Sequence, residues 1–257
     1  MKVSIITVVY NGSQTIEYAI RSILKQDYYN VEYIIIDGQS TDDTLEKISP
    51  YQSQITHLIS EPDNGIYDAM NKGLKLATGD IIGLLNSDDF YADTTIISQV
   101  VKEFQDHSVD LVFGDIVFVK PDNLDKITRY YSSANFHSDK FAWGWMPAHP
   151  SCFLKREVYE KYGYFKINYQ IAADYEILTR FMAKHGITYS YLPQIFVKMR
   201  TGGVSSRSWQ SNWILNQEIV RACHENGIQT NIAKVMLKYF TKIFQFVPQL
   251  ILTTPRE

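Results

Sequence analysis

The sequence predicts an α/β fold: a mostly parallel central sheet with helices on both faces, followed by C-terminal helices. Strand and helix patterns alternate through the first hundred residues. The strand segments are nearly continuous apolar runs, and Ile34-Ile35-Ile36 requires burial on both faces. Asn11, Asp37 and Asp88 each follow such a run, and ligands of open α/β sheets bind beyond the carboxyl ends of the strands.

Val3 to Val9 is the first strand and Tyr10-Asn11-Gly12-Ser13 a turn, with Ser13 as expected N-cap. Ile16, Ala19, Ile20, Ile23 and Leu24 then line one helix face. Val31 to Ile36 is the second strand. Thr41 or Asp42 caps a short helix ending by Pro50. Ile55 to Ile59 is the third strand. Ile66 to Ala77 is a helix closed by Gly79 as its C′ residue, Ile81 to Leu85 is the fourth strand, and a helix begins near Thr94. Beyond it, Leu111 to Val119 reads as strand, Phe141 to Pro150 as an aromatic loop, Tyr175 to Lys184 as helix and Ile187 to Lys198 as strand. Two helical stretches follow, about 206–225 and 231–252.

A chain of 257 residues can bury a full core, and its net charge of -3 gives no reason to expect nucleic-acid binding. The two cysteines, Cys152 and Cys223, match no metal spacing and suit a reducing compartment. The N-terminus enters its first strand without the cationic and small-residue pattern of a signal peptide, and no apolar run reaches bilayer-spanning length. The expectation is a cytoplasmic chain.

Asn86-Ser87-Asp88-Asp89 carries the chemistry. An acidic pair after a buried strand offers hard oxygen ligands for a divalent cation, and carboxylates suit Mg²⁺ or Mn²⁺ better than zinc. The competing reading is that the pair caps the next helix. No Gly-x-Gly-x-x-Gly follows the first strand and no Gly-Lys-Ser/Thr phosphate loop occurs, which argues against a dinucleotide dehydrogenase and a P-loop enzyme. A nucleotidyltransferase would want a Gly- and Arg/Lys-rich loop near residues 10–15, where only Gly12 is found. A sugar- or nucleotide-binding module with an inactive site is the non-enzymatic alternative.

Four segments taken in order resemble family 2 glycosyltransferases of the GT-A fold: Thr7-Val8-Val9-Tyr10-Asn11, Ile36-Asp37-Gly38-Gln39-Ser40-Thr41-Asp42, Glu61 to Gly73, and Asn86-Ser87-Asp88-Asp89. Among these, the pattern is similar to bacterial enzymes that build O-antigen or capsule repeat units. The resemblance covers about residues 1–205, with a nucleotide half to about 105 and an acceptor half from 106, and leaves 206–257 as a helical region.

It implies a donor site of Thr7, Tyr10, Asn11, Asp37, Asp63, Asp68, Asn71, Lys72 and Asp88, with Asp89 on the metal, joined or not by Asp88. For Lys72 a surface salt bridge is the competing assignment. The family's catalytic base falls in an acidic motif opening a helix, here Ala173-Asp174, where only one acid is present; the base is then Asp174, with Glu176 as the other candidate. His149, Trp145, Arg200, Gly202 and Gly203 are implied on the acceptor side or a lid, against packing roles for His149 and Trp145.

The resemblance further implies inversion, a UDP-hexose donor and a polyprenyl-diphosphate-linked acceptor. In the tail, residues 231–252 combine one long apolar face with Lys234, Lys238 and Lys242 beside it. This fits a helix lying on the inner face of an anionic membrane, or one packed on the catalytic domain or a partner subunit; an oligomer stays open.

Overall fold

The computed structural model describes residues 1–201 and 209–239. Strands β1 (Val3–Val9), β2 (Val31–Asp37), β3 (His57–Ser60) and β4 (Ile81–Leu84) alternate with helices α1 (Ile16–Leu24), α2 (Thr44–Ile48) and α3 (Ile66–Leu76). These strands pair in parallel in the order β3-β2-β1-β4. Residues alternate across the sheet as burial on both faces requires. Ile6, Val8, Ile34 and Ile36 pack with Met70 and Leu74 of α3. Ile5, Val9, Tyr33 and Ile35 pack on the opposite side with Ile16, Ile20 and Ile23 of α1.

The second half extends the same sheet. It comprises β5 (Phe90–Tyr91), α4 (Ile96–Asp106), β6 (Leu111–Lys120), β7 (Asn123–Tyr131), β8 (Phe153–Lys155), α5 (Arg156–Tyr162), α6 (Ala173–Leu178) and β9 (Tyr189–Arg200). The order continues β4-β8-β6-β9-β5, with β7 also on β6. Because β9 runs along one edge of β6, β7 and β8 divide the other: β8 takes Leu111 and Val112, and β7 takes Ile116 to Lys120. The chain then adds α7 (Trp209–Glu225) and α8 (Ile232–Met236).

Several boundaries shift for local reasons. α1 starts after Thr15 rather than Ser13, whose N–H instead reaches Asp42 at 3.1 Å. α3 ends at Leu76 because Ala77 is already extended; Gly79 is not its left-handed cap. Gly79 is needed for close approach, since a Cβ there would lie 2.6 Å from the Ser4 nitrogen. The helix of the sequence reading at 175–184 begins two residues earlier and continues through a π-helical turn, Thr179–Lys184. Ile219, Ala222 and Cys223 of α7 are buried in the same core as α3 and α6, so this core runs across the expected boundary at 205.

Of the expected tail helix at 231–252, the part beyond Tyr239 lies outside the described residues. Up to that point α8 packs on the protein: Val235 is buried and lies against Gly144 together with Lys238, and the Lys234 ammonium sits 4.5 Å above the Trp143 ring. Among the described residues no helix is long and apolar enough to cross a membrane.

Candidate active site

Register fixes the rim. Val9 pairs with Asp37 and Asp37 with Ser60, while Ile6 pairs with Leu84, so the loops after β1, β2, β3 and β4 leave the same end of the sheet. They are tied to one another by hydrogen bonds. The Asn11 main chain donates to Ser40 Oγ at 2.8 Å, and Asn11 Oδ1 accepts from the Thr41 N–H at 2.8 Å. The Gly12 N–H reaches Thr44 Oγ1 at 2.9 Å. Asn11 and Gln39 both adopt left-handed backbone (φ 50° and 62°), a conformation these contacts hold in place. A Cβ on Gly38 would meet Asp63 Oδ2 at 2.4 Å and the Tyr10 ring at 3.5 Å. Gly38, Asp63 and the exposed Tyr10 ring therefore converge, and Gly12 approaches Ser87 of the acidic segment.

At the end of β4 the acid pair splits into two environments. Asp88 is half-buried. Asp89 is 1% exposed, and neither of its carboxylate oxygens has a hydrogen-bond partner among the described residues. Burial, then the neighbouring Asp88, push its pKa well above the usual carboxylate range; Arg200, and the nearby Asn86 amide without a well-formed bond, oppose that rise. Arg200, at the end of β9, donates to the Asp88 carbonyl and lies over the Tyr18 and Phe90 rings at 4.6 and 5.2 Å. It thus stands behind the acids as a fixed counter-charge.

Several expected donor residues make contacts that hold the fold. Thr7 is fully buried, its hydroxyl accepting from Tyr33 at 3.2 Å, because its strand position faces the α1 layer. Asp37 is buried and accepts from the Ser40 N–H at 3.0 Å, the Ser40 hydroxyl, and Ser60 Oγ at 2.6 Å; it shapes the rim from beneath. Asp68, in the first turn of α3, accepts the N–H of Asn64 just before the helix at 3.0 Å. Asn71 makes a two-way bond with the Phe165 main chain, both distances 2.9 Å. Lys72 bonds Glu61 at 2.9 Å and the Pro62 carbonyl at 2.6 Å, which is the salt-bridge assignment.

The two base candidates separate clearly. Glu176 is fully buried and committed to Lys166 at 2.8 Å and Arg180 at 3.1 Å. Asp174 lines a cavity of about 190 Å³ with Arg129, Tyr131, Trp145 and Lys238. Burial raises its carboxyl to about 6, against the pull of the Tyr175 N–H at 2.8 Å. This cavity shares Tyr131, Trp145, Met146 and Lys238 with a larger one of about 680 Å³. Trp145 is therefore at the cleft. His149 lines neither cavity: it is buried edge-on to Phe165 at 5.6 Å, and burial lowers its pKa to about 4, so it is a neutral packing residue. Gly202 and Gly203 lie outside the described residues.

A family model described as glycosyl transferase family 2 matches residues 4–163. The chain belongs to this family. It is a glycosyltransferase. An uncharacterized glycosyltransferase of Mycobacterium tuberculosis is 30% identical over 181 residues, covering 69% of this chain and 68% of that protein. The PGL/p-HBAD biosynthesis glycosyltransferase of Mycobacterium bovis is 25% identical over 85% of this chain and 82% of its own. The Escherichia coli UDP-Glc:alpha-D-GlcNAc-diphosphoundecaprenol beta-1,3-glucosyltransferase WfaP is 40% identical, but over only 38% of this chain and 39% of that one.

Among solved structures, S. aureus TarS 1-349 in complex with UDP superposes with a TM-score of 0.67 at 18% identity, covering 94% of this chain and 72% of that one. The Pyrobaculum calidifontis mannosyltransferase PcManGT, in complex with GDP-Man and Mn²⁺, gives 0.64 at 23% identity over 87% and 63%. The fold of this glycosyltransferase is accordingly GT-A.

The residues present fit a divalent cation. No group of three or more His, Cys, Asp or Glu side chains placed to hold a metal occurs among the described residues of this glycosyltransferase. A cation here would rest on Asp89 and Asp88, leaving its other positions to phosphate oxygens and water, as Mg²⁺ prefers. The buried, unbonded Asp89 carboxylate is the group such an ion would satisfy. Arg129, Tyr131 and Lys238 in the cleft, and Tyr18 and Phe90 beneath Arg200, were not foreseen from the sequence. Adjacent basic and aromatic residues in Arg129-Tyr130-Tyr131 were the available signal.

Proposed function

We propose that this glycosyltransferase moves a hexose from a UDP-linked donor to a sugar acceptor carried on a polyprenyl diphosphate, with inversion, in surface-polysaccharide assembly. The observation that carries the reading is the division of acids: an orphaned Asp89 beside Asp88 at the sheet rim, and Asp174 in a separate cleft. Tyr10, Gly38 and Asp63 frame the nucleoside. The Tyr10 ring offers a stacking face and Asp63 an acceptor for a base or ribose donor. Held at Asp89 and Asp88, Mg²⁺ or Mn²⁺ supplies positive charge against a departing diphosphate.

Asp174 accepts the proton of the acceptor hydroxyl as it attacks the anomeric carbon. With its carboxyl near 6 it is ionised at neutral pH yet basic enough to take the proton. Trp145 and Tyr131 line the acceptor cleft with flat apolar faces suited to a sugar ring. WfaP, by its name, uses UDP-Glc and a diphosphoundecaprenol-linked sugar, which supports the donor and acceptor assigned. The exposed Met236 and Leu237 support contact of the tail with the inner face of the membrane.

The test is release of UDP from a panel of UDP-sugars with Mg²⁺, Mn²⁺ or chelator, followed by transfer to a diphosphate-linked acceptor sugar and NMR of the new anomeric centre. The reading expects metal-dependent release, loss of release in Asp89→Ala, and an inverted product. Release that persists in chelator, or a retained configuration, would overturn it.

A further inference from the structure

The segment 165–172, which delivers the chain to Asp174, is held from outside by two helices. On one side is α3. Asn71 bonds both main-chain groups of Phe165 at 2.9 Å, and the Tyr67 hydroxyl donates to the Ile171 carbonyl. On the other side is α7. Glu218 accepts three consecutive main-chain N–H groups, from Gln170 at 2.6 Å and from Ile171 and Ala172 at 2.9 Å. One turn on, Arg221 donates to the Asn168 carbonyl at 3.3 Å and stacks 4.1 Å from the Tyr169 ring. A further turn on, Glu225 takes Lys166 at 2.7 Å and the Tyr169 hydroxyl at 3.0 Å. Positions 218, 221 and 225 share one helix face, so α7 grips the segment along its length. Ala172, the last residue held, is the cap of α6, and Asp174 follows two positions later.

We infer that Glu218 is a positioning residue for sugar transfer, fixing the segment that aims Asp174 into the acceptor cleft. The inference rests on the reading of Asp174 as base. Glu218 acts through geometry and through charge. The groups that face Asp174 are Tyr67 from α3, Arg129 and Tyr131 from β7, Cys152 before β8, Lys238 after α8, and Glu218 from α7. The Glu218 charge disfavours ionisation of Asp174. Its removal therefore moves the Asp174 titration to lower pH.

The experiment compares wild type with Glu218→Gln, measuring transfer, donor release without acceptor, and the pH profile of kcat/KM. Transfer kcat should fall at least about ten-fold, since small misplacements of a reacting group are costly. Donor KM and acceptor-free release should stay within about two-fold, because the clamp makes no donor contact. The acid limb should move to lower pH. Unchanged transfer, or a loss of transfer with the acid limb unmoved, would overturn the inference.

If Glu218→Gln does not fold, Glu218→Asp carries the test. It keeps the charge and shortens the reach, so transfer should fall with the acid limb in place, and full transfer sinks the idea. A wild-type protein that turns over no nucleotide sugar would defeat the functional reading instead. The clamp would then be judged by hydrogen exchange at Gln170 to Ala172, which Glu218→Gln should accelerate, and unaltered exchange would refute it.

Discussion

Arg200 donates a hydrogen bond to the main-chain carbonyl of Asp88, joining the end of β9 to the turn that carries the acid pair. The guanidinium also lies over the Tyr18 and Phe90 rings. Each cation–π contact contributes about 0.5–1 kcal/mol. Arg200→Gln should therefore lower the melting temperature and reduce donor turnover by about ten-fold or more, as the turn loses its anchor. Arg200→Lys keeps the charge but not the planar fork, and it should remain impaired. Full turnover in the Lys variant would show that charge alone suffices.

Asp89 is kept at a cost to the metal-free fold. Burial disfavours the charged carboxylate, and the isosteric amide carries no charge, so Asp89→Asn should raise the metal-free melting temperature near neutral pH while abolishing turnover. The sign with pH is fixed by the raised carboxyl. The folded state holds the proton more tightly than the unfolded chain, so wild-type stability falls as pH rises above about 4, the unfolded value. The advantage of Asp89→Asn should widen over that range and shrink when Mn²⁺ is added to wild type. Melting curves at several pH values, with and without metal, check this; an advantage that is constant with pH refutes it.

For Asp174 the acid limb of transfer should lie near pH 6. The base works only when ionised, so kcat/KM rises with pH through that value and levels above it. Asp174→Asn should lower transfer by on the order of 10²–10⁴ while sparing donor affinity. Steady-state profiles and calorimetric titration with UDP separate the two effects. An acid limb that survives in the Asn variant would belong to another group.

Asn71 and Lys72 are neighbours with opposite expectations. Asn71→Ala leaves the N–H and carbonyl of Phe165 without partners and should destabilise by about 1–3 kcal/mol. Lys72→Met removes a surface pair with Glu61 and should cost less than about 1 kcal/mol. Denaturant unfolding ranks the two, and equal losses would contradict the assignments.

Much of this was readable from the chain because the informative residues announce themselves locally. Val3 to Val9 and Val31 to Ile36 are largely apolar on both faces, and α1 repeats isoleucine at helical spacing. Asp88, Asp89 and Asp174 stand at the end of a strand or the start of a helix. What was not readable depends on distant partners. Asn71 meets Phe165 across 94 positions, and nothing near Asn71 distinguishes a backbone clasp from a ligand contact. β7 is half-exposed and dotted with Asp125, Lys126 and Arg129, while β5 and β8 have two and three residues; neighbours rather than their own patterns make them strands. Glu218 looks like any helix-surface acid until its three N–H partners, 46 to 48 residues upstream, are placed.

The side-chain ties among the loops after β1 and β2 have a thermodynamic consequence. Asn11, Ser40, Thr41 and Thr44 fix main chain that would otherwise have to be ordered on binding any ligand at this rim. On the proposed placement of the donor here, its capture at such a preorganised cradle would lose little conformational entropy, and differences in affinity among nucleotides should reflect the atoms each one touches and scarcely any loop rearrangement.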